Sequence, residues 1–165
     1  MTSGRSGGSA RARRRLDGGG SRGRVCDDRG VRIAFGTDEV TPVTDAVQAR
    51  LRDAGHTVEP VAEGDPWPDV GRQVGEAVSG GAADVGVVAC WTGTGVSIAA
   101  NKVDGVRAAL CTDAETARGA RRWNDANVLA FGLRLTSIEV ANEMVDAFLA
   151  TAVDADERPN IDRLR

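Results

Sequence analysis

Residues 85–102 read VGVVACWTGTGVSIAANK. Val85, Val87, Val88 and Ala89 make an apolar run of the kind expected for a central parallel strand covered on both faces. Cys90 ends the run. Gly93 and Gly95 then allow unusual φ values and close approach of backbone to a ligand, and 96–102 has the composition of a helix. A helix starting there aims its free N–H groups and the positive end of its dipole at the turn. The stretch therefore predicts strand, glycine turn and helix, with a thiol at the strand end beside an anion-binding turn. A helix N-terminus favours thiolate, which makes Cys90 a candidate base or nucleophile. The alternative is a small buried hydrophobe with no chemistry.

Spacing removes some mechanisms. Cysteine phosphatases close their loop with an arginine six residues after the nucleophile, and that position is Val96. The Gly-Lys-Ser/Thr of a Walker phosphate loop is absent. The dinucleotide fingerprint G-x-G-x-x-G fits Gly93 and Gly95 but puts Ile98 at the third glycine, with Asp113 about twenty residues on as its ribose-binding acid. A nucleotide-binding reading stays open on that partial match.

Outward from this stretch the chain alternates strand and helix. VRIAFG leads to an amphipathic run over 41–54 closed by Gly55, then to HTVEPV. A helix over 69–79 precedes the central strand. After the helix 96–102 come the strand VRAALC, a helix over 114–123, the strand NVLAF and a long helix over 137–151. Five strands with short connections predict an α/β fold, a three-layer α/β/α sandwich around a five-stranded parallel sheet of Rossmann-like type. Ligands on such sheets bind at the carboxyl ends of strands. Asp38, Cys90, Asp113 and Arg134 are all expected at that edge.

Composition agrees with one compact domain: 165 residues, 41% hydrophobic, with no run near the roughly 18 apolar residues of a membrane span. Residues 1–30 differ from the rest, carrying eight arginines against three aspartates, a local +5 that leaves −8 on the remainder of a chain whose formal net charge is −3. A Gly/Ser/Arg arm cannot bury enough apolar surface to order itself, and it lacks the apolar region of a secretory signal. The expected organisation is thus a disordered arm over 1–30 and one domain over 31–165, with a solvated tail preferred to a nucleic-acid-binding one. Cys26, Cys90 and Cys111 have no metal-type spacing, and His56 is the only histidine. The expectation is a reduced, cytoplasmic, metal-free protein. His56 comes directly after Gly55 at a strand start, so it is expected on the edge opposite Cys90, and no Ser-His-Asp triad can be built.

The segment CWTGTGVSIAANKVDGVRAALCTDAETARGARRWNDANVLAFGLR resembles the ribose-5-phosphate isomerase B and galactose-6-phosphate isomerase family. The family pattern is close to C-G-T-G-x-G-x-S-I-A-A-N-K-x-x-G-I-R-A followed by H-N-D-x-N-V-L-A-x-G-x-R. The likeness extends to VRIAFGTDEV upstream and to the VDAFL helix and basic tail downstream, covering 31–165.

The resemblance implies proton transfer between C1 and C2 of a phosphorylated sugar through an enediolate, without metal or cofactor. Cys90 matches the general base, and Thr92 the residue that relays protons to the hydroxyl oxygens. Asn124 matches the asparagine that polarises the carbonyl. The N–H groups of Gly93, Thr94 and Gly95 match the oxyanion site, where a well-placed donor is worth about 3 to 4 kcal/mol. Asp38 matches a substrate-hydroxyl ligand, while Arg134 and Arg158 match phosphate ligands, Arg163 being a further tail arginine. Family sites are shared across a dimer interface, so a homodimer or homotetramer is expected. Glu39, Trp91, Trp123 and Pro159 stand where the family has histidine, glycine, the ring-opening histidine and histidine. Trp91 and Trp123 are expected to line and shrink the pocket, favouring a short substrate such as a tetrose phosphate. Loss of every family histidine also leaves open a catalytically silent sugar-phosphate-binding member or partner subunit.

Overall fold

The computed structural model describes residues 30–164 together with Met1. Of the arm expected over 1–30, all but its two ends, and Cys26 with it, lies outside the described residues. The elements run β1 (Arg32–Thr37), α1 (Pro42–Asp53), β2 (Thr57–Glu63), α2 (Trp67–Ser79), β3 (Val85–Cys90), α3 (Thr94–Ala100), β4 (Ala108–Leu110), α4 (Ala114–Asn124), β5 (Val128–Gly132) and α5 (Ile138–Ala150). A 3-10 turn at Ala155–Glu157 and a short α6 (Arg158–Ile161) complete the chain.

Local chemistry sets the helix starts. Thr41 and Thr44 form a reciprocal capping box in front of α1, with Pro42 in the first turn. Asp113 and Thr116 do the same for α4. The Ser137 hydroxyl accepts from the Val140 N–H at the start of α5. Three expectations shift, one being the helix expected over 96–102, which runs Thr94–Ala100 because Gly93 caps it two residues earlier. VRAALC shortens to the three residues of β4, because β4 is an edge strand hydrogen-bonded on β5 alone. The second helix starts at Trp67 rather than 69, because Pro68 is tolerated in a first turn whose N–H groups have no intrahelical partner.

All strands are parallel, in the order β2-β1-β3-β5-β4. β3 lies between β1 and β5 and every one of its residues is buried, as its continuous apolar sequence requires. Side chains alternate between two cores. Ile33, Phe35, Val87, Leu129 and Phe131 face Leu51, Met144 and Phe148 on one side; Ala34, Val88 and Ala130 face Val70, Val74 and Val96 on the other. The three-layer α/β/α sandwich expected from the alternation is the one observed. From β1 the chain first moves outward to β2, then returns to β3 on the other side of β1. That reversal opens a crevice above the carboxyl ends of β1 and β3, the place where open parallel sheets bind ligands. Among the described residues, no helix is long and apolar enough to cross a membrane.

Candidate active site

The loops leaving β1, β3 and β5 meet at this edge. Cys90 is the last residue of β3, paired with Gly132 of β5, and 4% exposed. Its carbonyl accepts from the Leu133 N–H at 2.9 Å, and the Trp91 carbonyl accepts from the Arg134 N–H at 2.9 Å. These two bonds stitch the turn after β3 to the exit of β5. Gly93 sits at φ 76 as the N-cap of α3. A Cβ there would lie 2.6 Å from the Phe131 carbonyl carbon, so both its backbone angle and the space exclude other residues. The exposed hydroxyls of Thr92 and Thr94 share a hydrogen bond of 2.6 Å across this turn.

Asp38 forms the facing wall. Its N–H donates to the carbonyl of Ala89 at 3.4 Å, which holds it beside the residue preceding Cys90. Thr37, fully buried, braces the bend: its hydroxyl donates to the Glu39 carbonyl at 2.8 Å and accepts from the Glu39 N–H at 3.3 Å. Asp38 Oδ1 is buried and has no hydrogen-bond partner. Burial raises the Asp38 carboxyl above its ordinary value, the neighbouring Glu39 charge adds to this, and the Asp38 backbone N–H opposes it. An acceptor left unpaired at a strand end is open to a donor from outside the chain, water or ligand.

Sequence reasoning missed Trp67. Its indole lies on the backbone of Gly95, so close that a Cβ there would be 2.9 Å from Cδ2. The signal was a tryptophan between two prolines; only the earlier helix start brings it to the crevice.

One chain gathers Asp38, Cys90, Trp91, Thr92, Gly93, Thr94, Gly95 and Arg134 at the carboxyl edge, and leaves Trp123, Asn124 and Arg158 elsewhere. Asn124 ends α4 just before Asn127, whose carbonyl accepts from Gly86 N–H at the start of β3. Four residues of strand, about 13 Å, separate Gly86 from Cys90. Trp123 is half-exposed and packs its ring on Gly119 of the same helix. Arg158 reaches Asp125, the C-cap of α4, at 3.7 Å. These residues therefore share the amino edge. His56 is there too, on the edge expected of it, its Nδ1 accepting from the Val31 N–H at 3.1 Å. Asp113, at the carboxyl edge, is engaged as the cap of α4, and its bonds from Thr116 hold its carboxyl below the usual range.

The chain has known relatives. The sequence model of the family described as Ribose/Galactose Isomerase matches residues 33–164. Ribose-5-phosphate isomerase B of Escherichia coli (strain K12) is 42% identical over 125 residues, covering 72% of this chain and 83% of that protein. D-erythrulose-4-phosphate isomerase of Pectobacterium atrosepticum is 37% identical over 123 residues, covering 71% and 81%. The solved ribose-5-phosphate isomerase B of Clostridium thermocellum superposes with a TM-score of 0.75 at 34% identity, over 81% of this chain and 94% of that one. With its parallel sheet, its glycine turn after β3 and these relatives, the chain belongs to the ribose/galactose isomerase family.

Proposed function

We propose that this protein is a cofactor-independent aldose–ketose isomerase of a phosphorylated sugar, with Cys90 as base and a site completed by a second copy of the chain. The observation that carries the reading is the division of the matched residues between two edges. Cys90, the glycine turn and the unpaired carboxylate of Asp38 stand at one edge, while Asn124, Trp123 and Arg158 stand at the other. A two-fold dimer can bring the amino edge of one copy over the carboxyl edge of the other, and each site recurs twice. The outer faces of α2 and α3 suit such contact. A groove of about 620 Å³ runs between them, lined by apolar Trp67, Pro68, Ile98 and Val103 and by charged Arg72, Glu76, Lys102 and Asp104.

In the reaction, Cys90 as thiolate takes the proton from C2 of the aldose, and the carbonyl electrons move to oxygen to give the enediolate. The N–H groups of Gly93, Thr94 and Gly95 hold the new negative oxygen. The hydrogen-bonded pair Thr92 and Thr94 passes a proton between the two sugar oxygens, and Cys90 returns its proton to C1. Nothing is oxidised or reduced overall. Asp38 accepts from a sugar hydroxyl; Asn124 of the second copy polarises the carbonyl, and Arg158 of that copy, with Arg134, grips the phosphate.

Trp91 and Trp123 bear on substrate length. Pentose and hexose phosphates rest as rings and need an acid–base group to open them, and this chain's one histidine is held at the amino edge. A tetrose 4-phosphate cannot close a furanose ring, because the attacking oxygen is esterified. A tetrose phosphate is therefore the preferred substrate, in a cytoplasmic enzyme. The same missing imidazole favours a second reading, a silent sugar-phosphate-binding subunit. Measuring kcat/KM on erythrose 4-phosphate, erythrulose 4-phosphate and ribose 5-phosphate decides between them. Preference for the tetroses supports the size argument, preference for ribose 5-phosphate removes it, and binding without turnover on any sugar establishes the silent subunit.

A further inference from the structure

Asp125 occupies an unusual position. It is the one non-glycine residue with positive φ among the described residues, at φ 48 and ψ 42. Aspartate is among the few non-glycine residues that tolerate this backbone, and here its carboxylate is engaged as well. Three guanidinium groups converge on it. Arg107 donates through Nη2 to Oδ2 at 3.1 Å and through Nε to the Asp125 carbonyl at 2.7 Å. Arg121 donates to Oδ1 at 3.5 Å and to the Ala126 carbonyl at 2.6 Å, with Phe148 beneath it at 5.3 Å. The third, Arg158, differs. It stands 3.7 Å from Oδ2 and 4.0 Å from Asp162 Oδ1, and is half-exposed where the other two are mostly covered. Arg107 and Arg121 are engaged by backbone carbonyls, whereas Arg158 is attracted at ion-pair range without a close hydrogen bond.

We infer that Asp125 is a positioning residue for the substrate phosphate, acting through Arg158. Two carboxylates, Asp125 and Asp162, face three guanidinium groups, so the cluster stays cationic towards an incoming anion. Its pull narrows the rotamers of Arg158 before the phosphate arrives, and the fork's donors remain for the ligand. The left-handed turn also sets the exit of the chain from Asn124, so one residue orders the polar groups offered to the neighbouring copy's crevice. This inference rests on the proposed assignment of Arg158 as an anion ligand.

The test compares the full-length protein with Asp125→Asn, which tolerates the same φ. Inorganic phosphate is the probe, followed by protection against thermal unfolding and by competitive inhibition of turnover. The expected result is an about tenfold loss of phosphate affinity and an equal rise in KM, as for one hydrogen bond to a charged group, with kcat within about threefold. Arg158→Met should lose as much, and the double variant no more than Arg158→Met alone. Unchanged phosphate affinity in folded Asp125→Asn, or additive losses in the double variant, overturns the inference. Should Asn lower stability too far, Asp125→Gly keeps the turn and is read the same way. If the wild type turns over no sugar phosphate, the proposed activity falls, while the phosphate-protection arm still decides the role of Asp125.

Discussion

The indole of Trp67 rests on the backbone of Gly95, leaving no room for a methyl group between them. The first turn of α2 thereby packs directly against the glycine turn after β3. Gly95→Ala forces ring or turn to move, at about 1 to 3 kcal/mol of stability for overpacking. Turnover should fall by about tenfold to a hundredfold from the displaced turn. Trp67→Ala added to Gly95→Ala should recover part of the stability, measurable as a non-additive pair of melting temperatures. Strict additivity would show that the two do not press on one another.

Cys90→Ala should lower kcat by about 10² to 10⁴ with the melting temperature little changed. Cys111 is the internal control, since Cys111→Ala should keep activity. A Cys90→Ala protein with more than half the wild-type rate would remove Cys90 from the mechanism.

Cys111 carries its own pH signature. Burial pushes its thiol up to about 11 from 9.0, so the folded state keeps a proton that the unfolded chain releases sooner. Its contribution is full below about pH 9 and is lost as pH rises towards 11. Melting curves between pH 8 and 11 should decline more gently for Cys111→Ala than for the wild type.

Asp38 has the same sign at lower pH. Its carboxyl is raised above 3.8, so the folded state is penalised as pH climbs through that value, and the penalty persists at neutrality. Asp38→Asn should therefore melt higher than wild type at pH 7 and equally at pH 3, while kcat/KM falls by about tenfold for the lost charged acceptor. A melting temperature lower than wild type at pH 7 would contradict the unpaired state of Oδ1.

Trp123→His returns an acid–base group to the amino edge. It should raise kcat/KM on ribose 5-phosphate relative to erythrose 4-phosphate by about tenfold or more, the low end of general acid–base catalysis being about a hundredfold. An unchanged ratio would show that ring opening is not what Trp123 denies.

Periodicity and glycine placement by themselves determined the alternation of strands and helices and the Cys90 turn, because each depends on neighbours within a few residues. They also put Asp38, Cys90 and Arg134 at one edge, since a parallel strand always delivers its last residue to the same side. The start of α2 was not readable, because Trp-Pro satisfies a loop and a helix first turn equally well. Only the tertiary structure decided the order β2-β1-β3-β5-β4, which long-range pairing selects and local pattern does not record. It also decided that Asn124 and Arg158 stand away from Cys90. α4 carries the chain back along the full length of the sheet, and the distance between the two edges is a property of the packed layers, not of any stretch of residues.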